Sequence, residues 1–136
     1  MSEEAVRAAD ALGAAMHARD AQAIRAVYAD DIVVWHGSTG QAQTKDENAG
    51  LLAGVFQIAS ALEYVDIQRH AIEGGVVQQH RLVGTFNDGK PMPGLNACLV
   101  IKVSGGLITR IDEYFDGSTY AEVWDRLAAL AGAKPA

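Results

Sequence analysis

Disulfides cannot organise this chain, because it contains one cysteine, Cys98. With no second thiol, no CxxC pair and no His–Cys cluster, a reducing, cytoplasmic setting is expected. No apolar run approaches the ~20 residues that a membrane-spanning helix needs. Basic residues are scarce and scattered, 11 against 17 acidic ones, so no basic stripe is available to follow a phosphate backbone. The net charge of −6 therefore excludes nucleic acid as the expected partner. The opening Met1-Ser2-Glu3-Glu4 is acidic and lacks the basic-then-apolar layout of a secretory signal. The glycines follow no phosphate-loop spacing.

The 136 residues suit one domain spanning 1–136, with 131–136 as a frayed tail. Val6, Ala9, Leu12 and Met16 recur at helical spacing from Glu3 to Ala18. Asp20 is placed to cap a second helix carrying Ile24, Val27 and Tyr28. The β-branched run from Ile32 to His36 predicts a short strand, and 37–43 a loop. Thr44 and Glu47 have capping-box spacing and open a helix with Leu51, Leu52, Val55 and Phe56 on one side. The period then falls to two. Four strands are predicted over 62–73, 76–87, 95–104 and 107–116, separated by Gly74-Gly75, Asp88-Gly89 and Gly105-Gly106. A second capping-box spacing, Thr119 to Glu122, opens a last helix. This order predicts an α+β fold whose antiparallel sheet has one face covered by helices.

Strand alternation identifies that covered face. Leu95, Ala97, Leu99, Ile101 and Val103 share one side, and Leu107, Thr109, Ile111, Glu113 and Phe115 share another. His80 falls with Val76, Leu82 and Phe86, and His36 with Ile32 and Val34. Three ionisable residues thus interrupt apolar faces. An ionised group in such surroundings costs several kcal/mol unless it is paired or reached by water, and sequences retain that cost mostly at functional sites. The bland alternative is a satisfied core histidine and a carboxylate at the sheet mouth. The expected pocket wall is Val34, Leu82, Leu99, Ile111 and Phe115. A bulge near Pro93-Gly94 would bring Asn96 inward. Trp35 and Trp124 supply bulk to core or interface. Tyr64 and Tyr114 are assigned to the outer face, which suits contact with a second copy.

At Ala29-Asp30-Asp31-Ile32-Val33 and Asp112-Glu113-Tyr114-Phe115-Asp116 the chain resembles the nuclear transport factor 2-like superfamily. Within it, the likeness is to the SnoaL-like branch of polyketide cyclases, ketosteroid isomerases and limonene epoxide hydrolases. The resemblance runs from Glu3 to Leu130 and implies a cone-shaped, curved, mostly antiparallel sheet packed on N-terminal helices around an apolar pocket. It also implies a homodimer through the outer sheet face. His36 matches the position of the isomerases' general base, but Leu99 and Leu12 stand where their oxyanion-binding acid and tyrosine would be. Glu113 matches one carboxylate of the epoxide hydrolases' triad, while His80 replaces its arginine and Leu82 its second aspartate. Glu113 also suits the acidic residue of the cyclases.

These residues predict cofactor-free acid–base chemistry on a small, mostly apolar substrate, of isomerase, cyclase, dehydratase or epoxide hydrolase type. Glu113 would be the base, and His80 and His36 would orient it, hold a water or donate to an oxyanion. One rival is a non-catalytic module that binds an apolar ligand or pairs with itself. The other is a metal held by two histidines and a carboxylate. No metal is expected, because the three residues come from separate strands.

Overall fold

The computed structural model describes residues 2–133. Among them are four helices and six strands: α1 (Glu3–Ala18), α2 (Ala21–Val27), β1 (Tyr28–His36), β2 (Gln41–Gln43), α3 (Lys45–Ile58), β3 (Ala59–Ile72), β4 (Gly75–Phe86), β5 (Leu95–Ser104), β6 (Leu107–Phe115) and α4 (Ala121–Ala133). Helix starts follow the expected local chemistry. Asp20 accepts hydrogen bonds from the amides of Gln22 and Ala23. Thr44 and Glu47 close a reciprocal capping box at the head of α3. At the head of α4 the outcome differs from the expected second box. The helix begins at Ala121, and Glu122 accepts from Arg126 one turn on, at 2.6 Å. Of the tail expected to fray, residues 131–133 belong to α4, and 134–136 lie outside the described residues.

The strands form one sheet in the order β2-β1-β6-β5-β4-β3. Strands β3 to β6 make the antiparallel meander, and β1 joins β6 in parallel. The segment expected to be loop contains the short β2, which pairs with β1 from Val34↔Gln43 to His36↔Gln41. Helices α1, α2 and α3 cover the inner face. There Leu12, Met16, Ile24, Val76, Phe86, Ile101 and Val123 are almost wholly excluded from water. Burial of such side chains contributes roughly 25 cal/mol per Å² of apolar surface and is the main stabilising term.

Two bulges change which residues face inward. Along β5 and β6, Lys102 pairs with Arg110 but Val103 pairs with Ile108, so β6 carries an extra residue at Thr109. Leu107, expected in the core, is therefore on the surface, and Ile108 is buried in its place. Along β3, Val65 pairs with Arg81 and Gln68 with Gln79, leaving one extra residue between them. Asp66 adopts a left-handed backbone there, φ 55°, which short polar side chains tolerate better than most. The bulge turns Arg69 onto the inner face, opposite Gln78. The β6 bulge gives a clear test. Ile108→Ala should cost about 2–5 kcal/mol in urea denaturation, and Leu107→Ala about 0.5 kcal/mol or less. Equal losses would contradict this register.

Candidate functional site

The inner face holds one row of directly paired residues across five strands: His36↔Glu113, Glu113↔Leu99, Leu99↔Gln78 and Gln78↔Arg69. Four of the five are polar, and apolar Leu99 divides them into two groups. His80 lies two residues along β4 from Gln78, so it shares Gln78's face and pairs with Ala97. Above these residues, between the sheet and helices α3 and α4, is a cavity of about 90 Å³. His36, His80 and Glu113 all line it, together with Tyr64, Tyr120 and Trp124.

On one side of Leu99, His36 Nδ1 meets Glu113 Oε1 at 2.8 Å. The end of β1 is fixed against β6 by the Gly37 amide, which donates to the Glu113 carbonyl at 2.8 Å. A side chain at Gly37 would collide with the Tyr114 ring. The other ring nitrogen of His36, Nε2, lies 2.8 Å from Gln43 Oε1. That oxygen also accepts from Asn48 Nδ2 at 2.9 Å, and Asn48 Oδ1 accepts from the Tyr28 hydroxyl at 2.7 Å. As placed, Gln43 and Glu113 each present an oxygen to His36, an arrangement that a protonated imidazole satisfies by donating from both nitrogens. The Glu113 hydrogen bond raises the His36 pKa most strongly. Burial opposes it, while the Gln43 contact and the carboxylate charge add to it.

On the other side, His80 is buried and its ring stacks on Tyr64 with centroids 3.8 Å apart. Gln78 Nε2 lies 2.9 Å from His80 Nδ1, and Arg69 Nε donates to Gln78 Oε1 at 2.9 Å. Burial pushes the His80 pKa down from 6.5 to about 4, so the ring is neutral at neutral pH. Among the described residues, neither His80 Nε2 nor Glu113 Oε2 has a protein partner, and no unpartnered side-chain nitrogen or oxygen is sealed from solvent. Both residues line the cavity, and both atoms keep some contact with solvent. Burial also raises the hydroxyls of Tyr28 and Tyr64, and that of Tyr120 to about 12, with the Glu113 charge adding to each. They are neutral hydrogen-bonding groups.

Of the expected wall, Leu82 and Phe115 line the cavity. Val34, Leu99 and Ile111 do not. They are buried in the core; Val34 and Ile111 pair in a deeper row with Ile101 and Val76, and α1 packs against β4 and β5. Asn96 stays on the outside, bonded to Arg81 at 3.0 Å, and Trp35 packs edge-on against Tyr114 on that face. Tyr64, expected on the outer face, is inside because it pairs with Leu82 ahead of the β3 bulge. The three expected polar residues do not converge as ligands: among the described residues no three His, Cys, Asp or Glu side chains form a metal-binding group. Gln43, Asn48, Tyr28 and Gln78 join the site without being marked by the sequence pattern; among them only Gln78 has a signal, its parity with His80.

A model of the SnoaL-like domain matches residues 9–111, ending just short of Glu113. No curated protein matches the chain in sequence. Among solved structures, the chain is similar to PrhC from Penicillium brasilianum at 15% identity, TM-score 0.76, covering 97% of this chain and 93% of that one. It is similar to an LEH-like epoxide hydrolase from M. tuberculosis at 23% identity, TM-score 0.70, covering 96% and 97%. A putative isomerase from Bacillus subtilis gives 14% identity, TM-score 0.76, covering 93% and 97%. At these identities the likeness is one of fold.

The two histidines should titrate on opposite sides of 6.5. A group with a raised folded pKa adds stability below its unfolded value and loses it as pH rises; His36 is of this kind. His80 is the reverse, since its folded pKa is depressed. Its contribution is full above 6.5 and falls away toward pH 4, on the order of 3 kcal/mol. NMR titration should place His36 above 6.5 and His80 well below it. Glu113→Gln should lower the His36 midpoint and leave that of His80 in place. His36 titrating below 6.5 would contradict the pairing.

Proposed function

The chain belongs to the SnoaL-like domain family, within the nuclear transport factor 2-like superfamily, and on that premise we propose that it is a cofactor-free acid–base enzyme acting on a small carbonyl compound. The observation that carries this reading is the pair of unpartnered polar atoms on one cavity: a carboxylate oxygen of Glu113 and Nε2 of a neutral His80. An acceptor and a donor facing one apolar space are what enolisation requires.

In this mechanism Glu113 Oε2 removes a proton from the carbon next to the carbonyl. The C–H electron pair becomes the new C=C bond of an enolate, and negative charge develops on the carbonyl oxygen. His80 Nε2–H donates a hydrogen bond to that oxygen. The protonated Glu113 then returns its proton to carbon, at the original or a conjugated position, which gives exchange or isomerisation. His36 holds Oε1 and so aims the carboxylate, while Gln43 and Asn48 hold His36. A fixed base avoids the entropic cost of finding its geometry at each turnover. The cavity, about 90 Å³, is small beside the several hundred Å³ typical of ligand pockets, which favours a compact substrate.

The test is deuterium incorporation next to the carbonyl of small cyclic ketones such as cyclopentanone, followed by NMR in D2O. Exchange should be faster with the protein than without it. Glu113→Gln should lower the protein-dependent rate about 10²–10⁴-fold, the usual worth of a positioned base. Ketones that bind saturably but exchange no faster than in buffer, with binding insensitive to Glu113→Gln, would favour the ligand-binding module instead.

A further inference from the structure

We propose that Asp10, Arg69 and Gln78 form a tautomer lock that keeps the mobile proton of His80 on Nε2, aimed into the cavity; this rests on the reading of His80 as the donor there.

Donor and acceptor identities set the orientation of each group in turn. Asp10 Oδ1 accepts from Arg69 Nη1 at 2.6 Å, and most of the Arg69 side chain is buried. Arginine has only donors, so the Gln78 atom facing Arg69 Nε, 2.9 Å away, must be the amide oxygen. That orientation leaves the Gln78 NH2 group facing His80 Nδ1 at 2.9 Å. An NH2 group requires an acceptor opposite it, so Nδ1 carries a lone pair. The single proton of a neutral imidazole must then reside on Nε2. Flipping Gln78 would set donor against donor at Arg69 and leave both buried and unsatisfied, a cost of about 1–3 kcal/mol each. Gln78 is almost completely buried, so water cannot relieve that clash.

On the cavity side of His80 the charged and titratable groups are few. Tyr64 stacks on the ring from β3, and Arg69 acts through Gln78 from the same strand. Glu113, His36 and Tyr120 face it across the cavity from β6, β1 and the head of α4. None of these bonds His80, which leaves Gln78 as the group that sets the tautomer. The lock also accounts for the β3 bulge. Without the extra residue at Asp66, Arg69 would point outward and Gln78 would have no fixed orientation.

Long-range 1H–15N NMR of the intact protein at pH 8 reads the tautomer without any substrate. In the wild type, His80 should show a protonated Nε2 and an unprotonated, pyridine-like Nδ1. Gln78→Glu replaces the donor with a carboxylate oxygen and should move the proton to Nδ1. Arg69→Met should give a mixture of tautomers, and Arg69→Lys, which retains a donor, should restore the wild-type pattern; these two serve if Gln78→Glu fails to fold. A wild-type His80 protonated on Nδ1, or a pattern unchanged in both Gln78→Glu and Arg69→Met, overturns the lock. Turnover separates this from the functional reading. With Nε2 stripped of its proton, ketone exchange should fall about 10²-fold in kcat, with KM little altered. A shifted tautomer with unchanged kcat would uphold the lock and remove His80 from the mechanism.

Discussion

The row of paired residues from His36 through Glu113, Leu99 and Gln78 to Arg69 is the constraint on which the site depends. Each pairing is fixed by backbone hydrogen bonds, and a slip of one residue would send every side chain on that strand to the other face. Polar groups are costly on a covered face, so the register is tolerable only if each finds its partner. They do: His36 with Glu113 and Gln43, Gln78 with Arg69 and His80. Leu99 keeps the two networks apart, and among the described residues no hydrogen bond crosses it.

That separation lets one small cavity hold two histidines whose pKa values shift in opposite directions. Gln43 presents its oxygen to His36, and Gln78 presents its NH2 group to His80. The same amide, turned around, favours a cation in one case and a neutral ring in the other. A proton gained by His36 lies beside the Glu113 carboxylate, where Coulomb attraction and a charge-assisted hydrogen bond offset its desolvation. The neutral ring lies against Tyr64, where no such compensation exists. His36 and Glu113 lie on one wall of the cavity, and the neutral ring of His80 lies on the other.

Much of this was legible in the sequence, because it rests on local rules. The alternation of β4, β5 and most of β6 placed His80 and Glu113 inward, and the capping residues Asp20 and Thr44 marked where two helices begin. What could not be read was non-local. Bulges at Thr109 and Asp66 have no sequence signature of the glycine kind, and each reversed the facing of what lay beyond it: Leu107 and Ile108 in one case, Arg69 in the other. Gln43 lies on a three-residue strand too short to show a period. Asn48 sits one helical turn past Thr44 and turns toward Gln43 only because α3 packs across β1 and β2. The wall residues Val34, Leu99 and Ile111 face inward as expected, but a face does not specify depth, and helix packing decides which rows remain open.

Neutron diffraction from crystals grown in D2O at neutral pH locates the protons on both imidazoles at once. Deuterium is expected on both nitrogens of His36 and on Nε2 alone of His80. A His36 ring carrying one deuteron together with a doubly deuterated His80 would reverse this charge arrangement and overturn it.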